Sequence, residues 1–314
     1  MDVITIGEMV IDFLPGAEKG SYIRNAGGAP ANAAIAMARN GLQAGVYCKV
    51  GNDDFGRFLL STLEENKVKP LSPELCDTAT TTMAFVSLNE HNERSFTFAR
   101  KPGADMMLSA EDIRDEDIEA CKLVQAGSFS LSEGPAVEAT KYIIRKAHEL
   151  GRMVSFDINY RNVAWKDDKQ ACADAVMEIL PYVDLLKVSD EEVDMIGGRD
   201  NIPALMKEKN ISAIVETLGG DGSECFYKGT SFVHKGYKVD HVADTTGAGD
   251  AFWGGFLSRL LLLGADKPEK LTEEVLRDAL DYGNVSGSLC VTAKGAISSL
   301  PTREEIESFR LKNA

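Results

Sequence analysis

The chain reads DTTGAGDAF from Asp244 to Phe252, so that small residues lead into an acid and then into an apolar stretch. Glycine lets a backbone approach a ligand closely and adopt conformations that are closed to other residues. The free N–H groups in the first turn of a helix, together with the helix dipole, form a binding site for an anion. We therefore expect a helix to begin in this segment, where charge that develops on transferred phosphoryl oxygens would be stabilised by Gly247, Ala248 and Gly249.

Asp250 is the acid in this segment, and two interpretations fit it. Beside an anion site, its carboxylate could accept the proton of a hydroxyl group as the hydroxyl oxygen attacks a phosphoryl group. An aspartate that caps a helix after a glycine-rich turn is equally common. The segment taken alone leaves both interpretations open.

A second segment near the N-terminus reads GGAPAN from Gly27 to Asn32. The two glycines allow close backbone approach, and Pro30 suits the first position of a helix. Asn32 would then project a hydrogen-bond donor and an acceptor from the first helical turn, as the binding of a hydroxyl group requires. An ordinary loop–helix junction is the alternative. Neither segment is a dinucleotide-binding GxGxxG motif or a Walker P-loop, since the first strand is not followed by GxGxxG and no Gly-Lys-Ser/Thr occurs.

Short β-branched runs alternate with helical patterns along the chain, which predicts a mostly parallel sheet covered by helices on both faces. Strands are expected at residues 3–6, 44–50, 122–126, 153–157, 185–188 and 213–217. Helices are expected at residues 31–40, 55–66, 135–150, 168–179, 202–209, 250–263 and about 272–291.

Two pairs of short strands do not fit this alternation: residues 10–14 with 22–24, and residues 83–88 with 94–98, the second pair joined by a turn at 89–92. We expect them to form a small β-layer, made by about residues 10–25 and 83–100, that protrudes from one domain of residues 1–314. Apolar residues such as Phe85 or Phe96 lie on the expected outer face of this layer, so two copies of the chain are expected to pair through it as a homodimer.

The composition excludes several classes of protein. Of 314 residues, 44% are hydrophobic and 26% charged, and no apolar run reaches the roughly 18 residues of a membrane span. The net charge of −15 disfavours nucleic-acid binding, which needs clustered Lys and Arg. Six cysteines without a CxxC pair predict reduced thiols rather than a metal cluster or a disulfide framework. The N-terminal residues show no secretory signal, so we expect a cytoplasmic location.

Together the two segments resemble the two signatures of the PfkB, or ribokinase-like, carbohydrate kinase family. The spacing from Gly27 and Gly28 through Asn32 to Gly41 and Gly51 resembles the first signature, and residues 244–255 resemble the second. The resemblance extends from about residue 7 to residue 305. It implies an α/β fold, a ribokinase-like three-layer sandwich with a mostly parallel central sheet and a small β-sheet lid. It also implies ATP-dependent phosphorylation of a sugar hydroxyl, with Asp250 as the base.

The resemblance assigns sugar contacts to seven residues, which are Asp12, Gly28, Asn32, Phe98, Arg100, Asn159 and Arg161. In the family, the acid at the position of Asp12 binds sugar hydroxyls, and the strand that contains Phe98 and Arg100 closes over the sugar. Without the resemblance, Asp12 would be a polar residue at a strand end, and Asn159 and Arg161 would be solvated loop residues.

The resemblance also assigns nucleotide contacts, to Lys187, Ser189, Thr217, Gly219, Gly222 and Asn284. Asn284 matches a position that lines the adenine pocket. Lys187 could contribute positive charge near the phosphates, although an ordinary surface position fits it equally well. Ser189 stands where the family usually has asparagine.

Metal ions are implied in the same way. Glu192 matches an acid that acts on the shell of Mg²⁺, through water. A monovalent cation, K⁺, is common in the family. The residues that match its site are Asp244 and Thr246, with the backbone near Cys290, Ala293, Gly295 and Ser299.

Within the family, the chain is most similar to the bacterial fructokinases, on residues 28–32, 101–106, 156–161 and 187–192. The alternative is a 2-keto-3-deoxygluconate kinase, because Arg100 and Arg161 could bind the carboxylate of that sugar acid. Phe96 and Phe98 occupy a strand on which those kinases often have tyrosines, and this favours fructose. A non-catalytic sensor on the same fold is a third hypothesis, against which the intact Asp250 argues.

Overall fold

In the part of the chain that the computed structural model describes, residues 1–18, 20–72, 74–88 and 94–313, we number the strands and α-helices in chain order. Strands β1 to β13 are Val3–Ile6, Val10–Pro15, Tyr22–Gly27, Ala44–Tyr47, Lys69–Pro70, Met83–Leu88, Arg94–Ala99, Leu123–Gly127, Met153–Asp157, Leu185–Ser189, Ala213–Thr217, Gly222–Tyr227 and Thr230–Lys235. Helices α1 to α9 are Ala29–Arg39, Asp54–Glu65, Asp115–Glu119, Ala136–Glu149, Lys169–Ile179, Ile202–Lys209, Ala248–Leu262, Glu273–Cys290 and Arg303–Asn313.

Nine of these strands form a central sheet in the order β13-β12-β11-β10-β9-β8-β1-β4-β5. Neighbours from β11 to β5 are parallel, whereas β12 and β13 are antiparallel. Successive side chains of a strand point to opposite faces. Val3 accordingly packs in a core with α1, α7 and α8, and Ile4 in a second core with α4, α5 and α6. The helix–sheet–helix sandwich confirms the predicted fold class.

The predicted elements are present with boundaries that agree within three residues. The sequence pattern places β1, β9, β11 and α6 correctly at both ends, whereas β4 ends at Tyr47 rather than at residue 50. It misses the short elements β5 and α3, and it also misses α9 and the hairpin of β12 and β13. Strands β12 and β13 extend the central sheet with an antiparallel hairpin at its edge.

A second sheet has four strands in the order β3-β2-β6-β7, which confirms the strands predicted outside the alternation. Asp12 of β2 lies opposite Asn25 and Ala84, and Ala84 lies opposite Phe98, so Asp12 and Phe98 share one face. The turn predicted at residues 89–92 and the side chain of Phe96 lie outside the described residues.

The opposite face of this small sheet packs against α2. The ring of Phe13 stacks on Phe85 with the centroids 4.8 Å apart, and it meets Phe55 of α2 edge-on at 5.7 Å. The guanidinium group of Arg24 lies 3.8 Å from the centroid of the Phe58 ring, also in α2. This is the face that was expected to pair two copies of the chain, and part of it therefore packs against α2 of the same chain.

Helix α7 is buried almost throughout its length. A Cβ atom on Gly254 would lie 2.6 Å from the Cβ of Ala36 in α1, and one on Gly255 would lie 2.8 Å from the Cβ of Ser286 in α8. Glycine at these positions lets α7 pack closely between its two neighbours. Among the described residues, no helix combines the length and the apolar character that crossing a bilayer would need.

Candidate active site

Helix α7 begins at the edge of the central sheet where the parallel strands end. Gly247 precedes the helix with φ of 80°, and a Cβ atom there would lie 2.9 Å from the Cβ of Ala296, so this position needs glycine. The N–H of Ala248 donates to the carbonyl of Thr245 at 3.3 Å. The first turn, from Ala248 to Asp250, thus presents the positive end of a helix dipole at this edge.

Asp250 lies in this first turn and is buried. It does not cap the helix, because Gly247 occupies the N-cap position, so the capping interpretation is wrong. Its Oδ2 accepts a hydrogen bond of 2.8 Å from the side chain of Asn32, and its Oδ1 accepts one of 3.3 Å from Asn159. Burial raises the pKa of Asp250 above the ordinary value of an aspartate, and the amide of Asn32 and the charge of Arg161 oppose this shift.

Asn32 leaves one polar atom for a ligand. Its Nδ2 donates to Asp250, and its Oδ1 is buried with no hydrogen-bond partner in the described residues. A buried acceptor without a donor is costly. A hydroxyl group bound beside Asp250 could donate to it.

Asp12 approaches this centre from the small sheet. It occupies the third position of β2 and is not at the strand end. Burial raises the pKa of its carboxyl to about 6, the charge of Arg161 lowers it, and the charge of Asp250 raises it. Arg161 therefore acts on both carboxylates. A carboxylate in this position can accept hydrogen bonds from two adjacent hydroxyls.

The two glycines of the N-terminal segment are needed for the chain to pack on itself. A Cβ atom on Gly27 would overlap the carboxylate of Asp12, and one on Gly28, where φ is 115°, would overlap the carbonyl oxygen of Glu8. The side chain of Glu8 accepts a hydrogen bond of 3.1 Å from the N–H of Ala29, and burial raises its pKa to about 8. Glu8 was not predicted as a site residue, since nothing in its spacing marks it as buried.

Lys187 of β10 is buried, with 5% of its surface exposed, so the alternative of an ordinary surface position is wrong. Its Nζ lies 2.9 Å from each carboxylate oxygen of Asp157 in β9. A Cβ atom on Gly249 would lie only 3.6 Å from this Nζ. Burial alone would lower the pKa of Lys187, but the carboxylates of Asp157 and Glu192 outweigh it and raise the pKa. The ammonium group of Lys187, paired with Asp157, thus lies next to the first turn of α7.

Glu192 joins the loops that follow two neighbouring strands. Its Oε1 accepts a hydrogen bond of 2.7 Å from the N–H of Tyr160, after β9, and its Oε2 accepts one of 2.9 Å from the N–H of Ser189, at the end of β10. Each carboxylate oxygen has a second lone pair, which remains for a water molecule.

A cavity of about 610 Å³ begins at the first turn of α7 and extends between β11, β12 and α8. Four of the six residues predicted to contact a nucleotide line it, together with two from the α7 segment: Thr217, Gly219, Gly222 and Asn284, with Ala248 and Gly249. Lys187 and Ser189 do not line it. The walls include further residues that were not predicted from the sequence, among them Gly236, Tyr237, Lys238, Val239, Val242 and Phe252. Most of these follow β13, which was not predicted as a strand.

Asp244 holds together the two loops in which a cation site was predicted. Its Oδ1 accepts a hydrogen bond of 2.9 Å from the N–H of Thr246, and its Oδ2 accepts one of 3.1 Å from the N–H of Gly295. In the second loop, Cys290 Sγ and Ser299 Oγ lie 3.1 Å apart. The carbonyl of Gly295 already accepts the N–H and the hydroxyl of Ser299, which leaves it less available to a cation.

Arg100, which was predicted to contact the sugar, is bound within the protein. Its Nη2 lies 2.7 Å from Oδ2 of Asp105, and its Nε donates to the same oxygen at 2.9 Å. The guanidinium group also lies 4.4 Å from the centroid of the Phe129 ring, on which Phe98 packs at 6.2 Å. Phe98 and Arg100 line a second cavity, of about 630 Å³. The charge of Arg100 is therefore already neutralised.

Comparisons with known proteins agree with this architecture. The model of the pfkB family carbohydrate kinases matches residues 1–303. Fructokinase-1 of Zea mays is 35% identical over 314 residues, which cover 97% of this chain and 96% of that protein. The fructokinase of Vibrio cholerae O395, solved with fructose, ADP and a calcium ion, is 32% identical with a TM-score of 0.86, over 98% of this chain and 99% of that one. The fructokinase of Xylella fastidiosa, solved with ATP, is 27% identical with a TM-score of 0.88, over 99% and 98% of the two chains.

Proposed function

The chain belongs to the pfkB family of carbohydrate kinases, and from this premise we propose that it transfers the γ-phosphoryl group of ATP to the 6-hydroxyl of fructose. Membership makes it a phosphotransferase with an alcohol group as acceptor. The names of its relatives support fructose as the acceptor, and the cavity that extends from the first turn of α7 supports a nucleotide as the donor.

In the proposed reaction, Asp250 accepts the proton of the sugar hydroxyl while the hydroxyl oxygen bonds to the γ-phosphorus. The bond from that phosphorus to the β–γ bridging oxygen breaks, and ADP leaves. Asn32 and Asn159 each hold one carboxylate oxygen of Asp250, and so fix the direction of its free lone pairs. The start of α7 and the ammonium group of Lys187 stabilise the negative charge on the transferred group.

Water must be kept from the γ-phosphoryl group, or ATP would be hydrolysed. We propose that residues 1–314 act as one kinase domain and that the small sheet, with Asp12 on the face turned to the site, closes over the sugar as a lid. Contacts of Phe13 and Arg24 with α2 support a hinge on that side of the sheet.

Mg²⁺ is proposed to arrive with the nucleotide, because the described residues hold no cluster of three or more His, Cys, Asp or Glu side chains that could bind a metal by itself. The surroundings fit a cation: burial, with the charges of Glu192 and Asp250 and against the charge of Lys187, raises the pKa of Asp157 to about 6. Glu192 would hold water of the Mg²⁺ shell. The ion, when bound, neutralises charge on the phosphate oxygens.

We also propose K⁺ between the loops of residues 244–246 and 290–299. Asp244 bridges the two loops, which supports a shared site. Backbone carbonyls near Cys290 and Ala293 are the candidate ligands, because the carbonyl of Gly295 is already occupied.

Six unpaired, buried cysteines support a reducing, cytoplasmic location.

The pairing of Arg100 with Asp105 is the observation that best supports a neutral sugar. To bind the carboxylate of a sugar acid, the site would need a positively charged side chain that is not already paired. Of Arg100 and Arg161, only Arg161 forms no ion pair with an acidic side chain in the described residues. The charge of Arg161 already acts on the carboxylates of Asp12 and Asp250. A third carboxylate at this place would be repelled.

We expect kcat/KM for fructose to exceed that for 2-keto-3-deoxygluconate by at least about tenfold, the equivalent of one unsatisfied hydrogen bond. Initial rates with both sugars under identical conditions test this. Asp105→Asn is the matched variant: it releases the charge of Arg100, and should shift the ratio toward the acid. Equal use of the two sugars by the natural protein, or a preference for the acid, would show that the arginines and not the aromatic lid residues set the specificity.

The lid is also proposed to pair two copies of the chain. β3 is an edge strand of the small sheet, and it exposes 47% of Tyr22 and 58% of Ile23. Edge strands with exposed apolar residues readily pair with a second strand. Sedimentation at protein concentrations on the order of tens of micromolar should show a dimer. Tyr22→Asp should sediment as a monomer, and a natural protein that is only monomeric would contradict the pairing.

A further inference from the structure

The cavity of about 630 Å³ that Phe98 and Arg100 line adjoins the proposed sugar site. A cavity of this size is typical of sites that hold a whole small molecule. Its walls come from three places, which are β7 of the small sheet, the loop after β8 and the loop after β9. The small sheet and the edge where the parallel strands end therefore both border this cavity.

The small sheet connects the cavity to the sugar site. Asp12 of β2 and Phe98 of β7 share one face of this sheet, two strand spacings or about 10 Å apart. Asp12 stands near Asp250, whose charge acts on it, and Phe98 lies in the cavity wall. One continuous face of the proposed lid thus runs from the sugar site into the cavity.

The loop after β9 makes the same connection from the central sheet. Asn159 donates to Oδ1 of Asp250, and Val163 and Ala164, which follow shortly in the chain, line the cavity. The N–H of Ala164 donates to the carbonyl of Arg161 at 3.0 Å, so the loop closes into a turn between the two places. A group attached to the bound sugar would therefore pass along this turn into the cavity.

The charges around the cavity are largely compensated. Arg100 is paired with Asp105, and Lys166 lies 3.1 Å from a carboxylate oxygen of Glu133. Lys101, the third cationic residue of the wall, is exposed to solvent. An uncharged group thus fits this cavity better than an acid does.

The buried part of the wall is apolar, and the polar groups lie at the exposed end. Phe98 and Phe129 pack with their ring centroids 6.2 Å apart, and Met106 beside them is 7% exposed. Lys166 and Glu133, whose side chains are 76% and 48% exposed, offer a hydrogen-bond donor and an acceptor. A sugar ring matches this division, because it has C–H groups on its faces and hydroxyl groups around its rim.

We propose that the cavity holds a second, uncharged sugar ring attached to the anomeric carbon of the fructose, so that fructose-containing disaccharides are acceptors. This rests on the proposed function and leaves its chemistry unchanged. The γ-phosphoryl group passes to the 6-hydroxyl of the fructosyl unit, Asp250 takes the proton of that hydroxyl, and ADP leaves. Only the furanose ring has a free 6-hydroxyl, and its anomeric carbon lies on the other side of the ring oxygen, so the attached ring is directed away from the transferred group.

Initial rates of the full chain with fructose, methyl β-fructofuranoside and sucrose test the proposal. Both fructosides are fixed as furanoses, and sucrose has a second ring where the methyl fructoside has only a methyl group. We expect kcat/KM for sucrose to exceed that for the methyl fructoside by at least about tenfold, the gain from burying roughly 60 Å² of apolar surface. Hydrolysis of the glycosidic bond of the product should give fructose 6-phosphate and free glucose, and phosphate found on the glucose would overturn the proposal.

Val163→Trp is the variant that fills the cavity. Val163 lines it and is 39% exposed, so a larger side chain there does not have to enter a packed core. The ratio of kcat/KM for sucrose to that for the methyl fructoside should fall by at least about tenfold. Leu263→Trp is the matched control, because Leu263 is 42% exposed at the end of α7, away from the cavity wall, and its ratio should equal that of the natural protein.

The three acceptors separate this proposal from the proposed function. A natural protein that phosphorylates fructose but uses sucrose no better than the methyl fructoside would overturn the second sugar site and leave fructose phosphorylation intact. An unchanged ratio in Val163→Trp would do the same. A protein that phosphorylates none of the three sugars would overturn both.

Discussion

Replacing Asp250 by asparagine is expected to lower kcat by about 10²–10⁴, the usual effect of removing a general base. Asparagine keeps the size of the side chain but cannot accept the hydroxyl proton. Steady-state rates with fructose and ATP provide the measurement, and KM for fructose should change much less than kcat. A variant with near-normal turnover would show that another group takes the proton.

The loss in Asp250→Asn should not come from unfolding. Asparagine gives up at most one hydrogen bond to Asn32 or Asn159, at about 1 kcal/mol, and it removes a buried charge. Because burial raises the pKa of Asp250, its ionised form costs stability at neutral pH, and removing that charge offsets the lost bond. The free energy of unfolding in urea should therefore stay within about 1 kcal/mol of the natural value.

Replacing Lys187 by methionine is expected to lower the free energy of unfolding by about 3–5 kcal/mol. Methionine fills a similar volume, but it leaves Asp157 buried without its partner, close to Glu192 and Asp250. An uncompensated buried carboxylate is the usual cause of so large an effect. Urea unfolding at neutral pH, followed by circular dichroism, gives the value.

Lys270→Met is the matched control for this substitution. Lys270 also forms an ion pair, with Asp266, but 54% of its side chain is exposed. Exposed pairs contribute about 0–1 kcal/mol, so this variant should be nearly as stable as the natural protein. If Lys187→Met were no less stable than Lys270→Met, the charge of Lys187 would have no part in holding β9 and β10 together.

Periodic patterns predicted most of the fold, and the missed elements lack a strong period. The hairpin of β12 and β13 turns at Lys228 and Gly229, with φ of 46° and 79°, which is the conformation of a tight hairpin turn. Lysine seldom adopts positive φ, so the sequence there gives a weak signal.

Helix α9 buries only Ile306, and therefore shows no apolar stripe. Its start does carry a signal, since Thr302 and Glu305 bond reciprocally as a capping box.

The sequence predicted those site residues that lie in motifs with a recognisable spacing. Asn32, Asn159 and Asp250 were identified in separate segments, and the structure brings them into contact. The sequence could not predict whether the side chains of Arg100 and Lys187 are free or ion-paired, because this depends on which carboxylates the fold places beside them. Asp105 neutralises Arg100, and Asp157 holds Lys187 inside the protein.

The hydrogen bond between Asn32 and Asp250 also has a consequence for biosynthesis. The two residues are 218 positions apart. At about 5–20 residues per second, a ribosome would add Asp250 roughly 10–45 s after Asn32. During that interval the growing chain already contains Asp12 and Asn32 but has no α7 to complete the centre. A nascent chain that stops before α7 therefore lacks the base of the proposed reaction, and catalytic activity reports that the chain has been made at least as far as α7 and has folded.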